Sequence, residues 1–137
     1  MSQDPIAATA LADAARRFTQ AFNENDLDGV MEWFAEDSLY DQFDGAQACG
    51  IVEIRGAFEP QFAGAFGVMK FIEEDLFVDA GERKVMISWT CSIETKDGPV
   101  SWRGLDLLRF DDRLRITRKA TYAKASTLKL DAVEPGE

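Results

Sequence analysis

The apolar residues in the first half of the chain recur at three- and four-residue spacing, which predicts three helices. The first begins at Asp4-Pro5, an N-cap followed by a proline in the first turn, and ends near Asn23. The second follows Asn25-Asp26, and the third follows Gly50 and contains Pro60, which should kink or shorten it. The apolar positions that define these helices are Leu11, Ala14, Ala15, Phe18, Ala21 and Phe22, then Leu27, Val30, Met31 and Phe34, and finally Ile51, Ile54, Phe58 and Phe62.

From residue 68 onward the hydrophobic period falls to two, which predicts strands rich in β-branched and aromatic residues. Four such runs, separated by short turns, cover residues 68–78, 84–95, 100–110 and 114–125. A shorter strand over residues 39–43 precedes the third helix. It should place Tyr40 and Gln42 on one face of the sheet and Asp41 on the other.

Helices followed by a meander of strands predict an α+β fold. We expect three N-terminal helices packed on one face of a curved, mainly antiparallel sheet. The chain has 137 residues and 46% hydrophobic content, which is enough for one compact core. We assign residues 1–126 to this single domain and residues 127–137 to a polar C-terminal tail.

The net charge of −10 is concentrated in the helical half. Residues 1–66 hold 12 acidic and 3 basic residues, whereas residues 67–137 hold 13 and 12. Charge of this sign repels nucleic-acid phosphates and anionic lipid headgroups, so we expect neither nucleic acid nor a membrane as a partner. We interpret the acidic half as a solvated outer face, with a docking surface for a basic partner as the alternative.

The chain has no histidine, which removes imidazole bases and imidazole metal ligands. Its two cysteines, Cys49 and Cys91, are too few for a disulfide framework or a zinc site. We therefore expect no metal and no cofactor, and carboxylates, tyrosine or lysine would carry any proton transfer. An acidic N-terminus without a long apolar run predicts a cytoplasmic protein.

Asp106 is the most unusual residue of the strand region. It lies between Leu105 and Leu107, in mid-strand, where aspartate is disfavoured and where burial would raise its pKa unless a cation lies nearby. Helices that cover a curved sheet leave a cavity, so a carboxylate on the inward face is a candidate site residue. The alternative is a structural aspartate that pairs with a lysine or arginine of the neighbouring strand.

Three segments resemble the nuclear transport factor 2-like superfamily, which includes ketosteroid isomerase, limonene-epoxide hydrolase and the SnoaL-like polyketide cyclases. These segments are residues 17–27, residues 33–40 and the stretch from Leu105 to Tyr122. The resemblance extends over residues 6–126 and implies a cone-shaped α+β barrel. It is specific for the fold and weak for activity, because this superfamily supports many unrelated functions.

The catalytic residues that the resemblance implies are only partly present. Asp106 falls where ketosteroid isomerase has the aspartate of its oxyanion hole, but Phe18 stands at the tyrosine position. Gln42 stands at the position of the base in an ungapped match, and Asp41 would reach it only through a bulge. The residue set of a standard ketosteroid isomerase is therefore incomplete.

The comparison with limonene-epoxide hydrolase is similarly incomplete. Tyr40 and Gln42 resemble the pair that holds the attacking water, whereas Trp89, Cys91 and Lys119 fall near positions where that family carries its charged catalytic residues. The same comparison places Lys119 in the cavity. We hypothesise a buried Lys119–Asp106 ion pair, which would keep Asp106 ionised and which a separation beyond about 6 Å would exclude. The alternative is that Lys119 extends to solvent.

Together these features predict a small-molecule-binding protein with an apolar ligand, in which Asp106 is the candidate catalytic residue for isomerisation, cyclisation or hydrolysis. A non-catalytic ligand-binding or dimerisation module is the alternative, and whether the chain is an enzyme stays open. The resemblance implies a dimer surface on the convex sheet face. The apolar Leu105 and Leu107, with Tyr122, would suit such a surface, so we expect a homodimer. The aromatic residues of the predicted lining would form either a recognition surface or ordinary core. The predicted lining comprises Tyr40, Gln42, Trp89, Trp102, Asp106 and Lys119.

Overall fold

The computed structural model describes residues 6–124 as three helices on a six-stranded sheet. The helices are α1 (Ala8–Asn23), α2 (Leu27–Met31) and α3 (Gly50–Phe62). The strands are β1 (Phe34–Asp41), β2 (Gln47–Cys49), β3 (Met69–Asp79), β4 (Lys84–Thr95), β5 (Gly98–Phe110) and β6 (Ile116–Ala123). The sheet order is β2-β1-β6-β5-β4-β3, and every pair is antiparallel except β1 with β6. The predicted α+β fold is confirmed.

Helix α1 buries the predicted apolar stripe, but it begins at Ala8, and Asp4-Pro5 lies outside the described residues. Helix α2 is five residues long and ends at Met31 instead of reaching the predicted Phe34, because Phe34 pairs with Ile116 at the start of β1. Helix α3 continues two residues beyond Pro60. Pro60 has no N–H to donate to the carbonyl group of Gly56, so the last turn of α3 lacks one helical hydrogen bond.

The strand predictions differ from the structure mainly at the edge of the sheet. Strand β4 has the predicted bounds, and its predicted inward residues Ile87, Trp89, Cys91 and Ile93 are all buried. The early strand, predicted over residues 39–43, is displaced along the chain: β1 begins at Phe34 and ends at Asp41, so Gln42 and Phe43 lie beyond it. The three-residue β2 was not predicted, since its short sequence has no period-two pattern to recognise.

The core between α1, α3 and the sheet is rich in aromatic rings. Phe18 packs edge-on against Phe22 and Phe34, with ring centroids 5.1 and 5.5 Å apart. Cys91 is buried in the sheet, where desolvation raises the pKa of its thiol to about 12, whereas Cys49 is exposed. None of the described helices is long and apolar enough to cross a membrane. The predicted polar tail, residues 127–137, lies outside the described residues.

Gly104 allows an unusually close approach between three strands. It lies opposite Trp89 of β4 and Ala123 of β6. A Cβ atom at this position would lie 2.5 Å from the carbonyl oxygen of Tyr122 and 2.6 Å from the Trp89 ring. Glycine is therefore required for the Trp89 indole to lie against the β5 backbone.

We expect Gly104→Ala to lower the free energy of unfolding by about 1–3 kcal/mol, because the added methyl group must displace the Trp89 ring or the β6 backbone. Gly56→Ala is the matched control, since a Cβ there meets nothing within 4 Å and alanine favours the helix. This control should raise the unfolding free energy by about 0.5–1 kcal/mol. Urea denaturation measures both, and equal stability of the two variants would contradict the steric argument.

Candidate functional site

A cavity of about 520 Å³ lies between the helices and the inner face of the sheet, and its lining is mostly apolar. Phe43 and Phe66 also line it while remaining 68% and 56% exposed, so they mark its opening to solvent. The structure places all six residues of the predicted lining at this cavity: Tyr40, Gln42, Trp89, Trp102, Asp106 and Lys119. Such a cavity has the size and character of a small-molecule site.

Asp106 is buried in the middle of β5, and three neighbouring side chains donate to its carboxylate. It lies opposite Thr121 of β6, whose hydroxyl donates to Oδ1 over 2.6 Å. Lys119 Nζ is 3.0 Å from the same oxygen, and the indole Nε1 of Trp89 donates to Oδ2 over 3.2 Å. Both oxygens of the carboxyl group therefore act as acceptors, and Oδ1 does so twice.

Lys119 is 4% exposed, and its ammonium group is fully enclosed by polar and aromatic partners. Besides its contact with Asp106, Nζ donates to the Thr121 hydroxyl over 2.6 Å. It also lies 4.4 Å from the centroid of the Tyr40 ring, in cation–π geometry, with Phe58 and Phe22 slightly farther away. The hypothesised buried ion pair is therefore present, and the alternative that Lys119 extends to solvent is wrong.

The pKa of Lys119 reflects two opposing effects. Burial lowers this pKa, but the charge of Asp106, the side chain of Tyr40 and the hydrogen bond to Asp106 together raise it above its ordinary value of 10.5. Lys119 is accordingly an ammonium ion at neutral pH. It has no free lone pair, so it acts neither as a base nor as a nucleophile.

The sequence left open whether Asp41 or Gln42 faces the cavity, and the structure places Gln42 there. Asp41 instead pairs with Arg118 of β6 across 3.4 Å, on the opposite face of the sheet. No bulge turns Asp41 inward, so it is not available as a base. Phe18, at the position of the isomerase tyrosine, is fully buried in the core.

The sequence left open whether the aromatic residues of the site form a ligand-recognition surface or ordinary core, and they contribute to both the cavity lining and the core. Tyr40 is 8% exposed and stacks on Phe58 with ring centroids 4.7 Å apart. Trp89 is 3% exposed and packs edge-on against Phe71. Both rings belong to packed clusters, and they also line the cavity together with the less buried Trp102.

Thr121 is the site residue that sequence reasoning missed. It bridges Lys119 and Asp106 through a single hydroxyl, which accepts from one and donates to the other. Its position two residues after Lys119 places both side chains on the same face of β6. That spacing was the available signal, but threonine is so common in strands that it was not singled out.

The chain matches the family model of the SnoaL-like domain over residues 15–119. It therefore belongs to this family, within the nuclear transport factor 2-like superfamily that the sequence motifs indicated. No curated protein matches the chain in sequence.

Solved structures of similar fold cover nearly the whole domain. AusH from Aspergillus nidulans is 16% identical, with a TM-score of 0.78, over 91% of this chain and 90% of that one. An NTF2-like protein of unknown function from Mesorhizobium loti is 27% identical, with a TM-score of 0.70, over 91% and 100%. RV0760c from Mycobacterium tuberculosis, solved in complex with estradiol-17beta-hemisuccinate, is 17% identical, with a TM-score of 0.69, over 82% and 92%.

We expect Lys119→Met to lower the free energy of unfolding by about 3–5 kcal/mol, because it leaves the Asp106 carboxylate buried without its counter-ion. The double variant Lys119→Met with Asp106→Leu should recover most of this loss, since no uncompensated charge remains. Arg118→Met is the control, because it breaks a more exposed pair with Asp41 and should cost less than about 1 kcal/mol. Chemical denaturation measures each variant, and a strictly additive double variant would contradict the coupling.

The raised pKa of Lys119 sets the pH range of this effect. Below the ordinary value of 10.5 the lysine is protonated in both the folded and the unfolded chain, so the full contribution of the pair to stability is present. It is lost as the pH rises through the raised pKa of the folded protein. The difference between wild type and Lys119→Met should therefore be constant at neutral pH and shrink only in strongly alkaline buffer.

Proposed function

We propose that this SnoaL-like domain binds an apolar small molecule in its cavity, with the Asp106–Lys119 pair and its partners as the polar end of the site. The observation that carries this proposal is an open cavity of about 520 Å³, lined mostly by apolar side chains, with a buried carboxylate that accepts from three side chains. Apolar pockets with a few convergent polar groups are the usual form of ligand sites. The steroid derivative bound by RV0760c, a protein of the same fold, supports a ligand of this kind.

For isomerisation, cyclisation or hydrolysis, the polar end restricts the role of Asp106. Its carboxyl group accepts hydrogen bonds from Trp89, Thr121 and Lys119 and donates to none of them. In such a reaction Asp106 would act as a hydrogen-bond acceptor, a weak base or a stabiliser of developing positive charge. The role of the protonated aspartate in ketosteroid isomerase is not supported by this arrangement.

We expect estradiol, used as a steroid probe, to stabilise the folded protein by mass action. At a concentration 100 times its Kd it should raise the Tm by at least about 5 °C. Trp102→Ala, which removes a cavity-lining ring, should weaken binding up to about tenfold. Trp33→Ala is the matched control, since Trp33 packs against the core outside the cavity lining and its loss should leave the Kd unchanged.

Thermal shift and isothermal titration calorimetry measure these effects. If neither estradiol nor a panel of smaller polycyclic compounds shifts the Tm, the binding proposal is overturned. Equal loss of affinity in Trp33→Ala and Trp102→Ala would place the ligand somewhere other than the cavity.

A second proposal, homodimerisation, follows from the outer face of the sheet. Phe77, Met86 and Leu107 form one row across β3, β4 and β5, and Leu105 pairs with Tyr122 beside it. Phe77, Leu107 and Tyr122 are 66%, 43% and 55% exposed, which is unusual for clustered large apolar side chains. A second copy of this chain could bury this patch symmetrically. In that case the domain would serve as a dimerisation module with or without catalysis.

We expect sedimentation velocity to show a dimer for the wild type and a monomer for Leu107→Glu, because a buried charge without a partner destabilises an interface. Val52→Glu on α3 is the control, since Val52 is 84% exposed and lies away from the patch. It should leave the dimer intact. A wild-type protein that sediments as a monomer at micromolar concentration would contradict the proposal.

We also propose a cytoplasmic location. The free cysteines Cys49 and Cys91 support it, because unpaired thiols are typical of reducing compartments. Cys49 is exposed and would be open to oxidation elsewhere.

A further inference from the structure

The two oxygens of the Asp106 carboxylate do not accept the same number of contacts. Oδ1 accepts from the Thr121 hydroxyl and from the Lys119 ammonium group, at 2.6 and 3.0 Å. Oδ2 accepts only from Trp89 Nε1 among the described residues, over the longer distance of 3.2 Å. Since each carboxylate oxygen has two lone pairs for hydrogen bonding, Oδ2 keeps one acceptor site.

The donors around this carboxylate are all engaged. Trp89 has a single indole N–H, and Asp106 accepts it. The hydroxyl hydrogen of Thr121 also goes to Asp106. Lys119 directs its N–H groups to Asp106, Thr121 and the face of the Tyr40 ring. Trp89, Thr121 and Lys119 therefore have no free donor for a ligand carbonyl. Any such donor would have to come from the Tyr40 hydroxyl, the Gln42 amide or the Trp102 indole elsewhere in the cavity lining.

From this asymmetry we infer that the polar end of the cavity selects ligands that carry a hydroxyl group, such as an alcohol, phenol or enol, which donates to Asp106 Oδ2. The inference rests on the proposed binding function and specifies its ligand class. In a site with a protonated aspartate, the protein donates the hydrogen bond and a ligand carbonyl accepts it. Here the ligand hydroxyl would donate and the protein would accept.

Burial strengthens this preference. The Asp106 side chain is 9% exposed, so a ligand hydroxyl would compete with little water for the carboxylate. Hydrogen bonds to charged groups are the stronger class, and one such bond corresponds to about tenfold or more in affinity. A ligand carboxylate would bring a like charge to Oδ2 and is disfavoured.

Three probes of nearly equal shape test the inference: 2-naphthol, 2-methoxynaphthalene and naphthalene. Titration calorimetry on the wild-type protein at pH 7 should give a Kd for 2-naphthol about tenfold or more below that of its methyl ether. The ether keeps an oxygen acceptor but has no hydrogen to donate. This comparison needs no variant, so it remains decisive even if substitutions at Asp106 prevent folding.

The Asp106→Asn variant provides a second test of the hydroxyl preference. An amide NH₂ in place of Oδ2 would offer a donor to the ligand, so the preference for 2-naphthol over the ether should fall to about twofold or vanish. Asp41→Asn is the matched control, because it also removes one carboxylate from an ion pair between β1 and β6, but on the opposite face of the sheet. This control should keep the full preference.

The outcomes distinguish failure of the hydroxyl preference from failure of ligand binding. Equal affinities for the three probes, or tighter binding of the ether, would overturn the hydroxyl preference while leaving the cavity as a binding site. A preference for 2-naphthol that persists in Asp106→Asn would also overturn it, since another acceptor would then be responsible. If none of the probes binds, the hydroxyl inference and the binding of bicyclic aromatic ligands both fail.

Discussion

The ion pair between Lys119 and Asp106 is the interaction on which the site depends. The pair and its partner side chains connect four strands, and either charge would be unfavourable in this buried position without the other. Asp106 lies on β5 and Lys119 on β6, while Trp89 reaches the carboxylate from β4 and Tyr40 covers the ammonium group from β1. Two isolated charges in this position would each carry a desolvation penalty of several kcal/mol. Together, and with Thr121 as a bridge, they leave no unpartnered buried side-chain polar atom among the described residues.

This pairing also decides what chemistry the cavity can support. An ammonium ion enclosed by a carboxylate and an aromatic ring cannot take a proton, and the three side chains around Asp106 all use its carboxyl group as an acceptor. The fold is shared with proteins of many functions, so the fold alone assigns none of them. The arrangement of donors and acceptors at Asp106 is what distinguishes this site from the catalytic sets that its superfamily suggests.

Much of the fold could be predicted from hydrophobic period, because long amphipathic segments such as α1 and β4 repeat one pattern many times. The predictions were wrong where tertiary contacts outweighed local pattern. Phe34 fits the stripe of a helix, yet it begins β1 because its ring packs on Phe18 and its backbone pairs with β6. The short strand β2 had too few residues to carry a period.

For the site, the sequence by itself determined the available chemistry: no imidazole, an aspartate in mid-strand among leucines, and Lys119 on the last strand. Only the tertiary structure decided that this lysine and this aspartate meet, because their contact depends on the register between β5 and β6. The same register brings Thr121 opposite Asp106. Gln42, the residue after β1, lines the cavity, whereas Asp41, the last residue of β1, pairs with Arg118 on the opposite face. A shift of one residue in the pairing of two strands would move these side chains to the opposite face of the sheet. The sequence pattern of a single strand does not specify how that strand aligns with its neighbour.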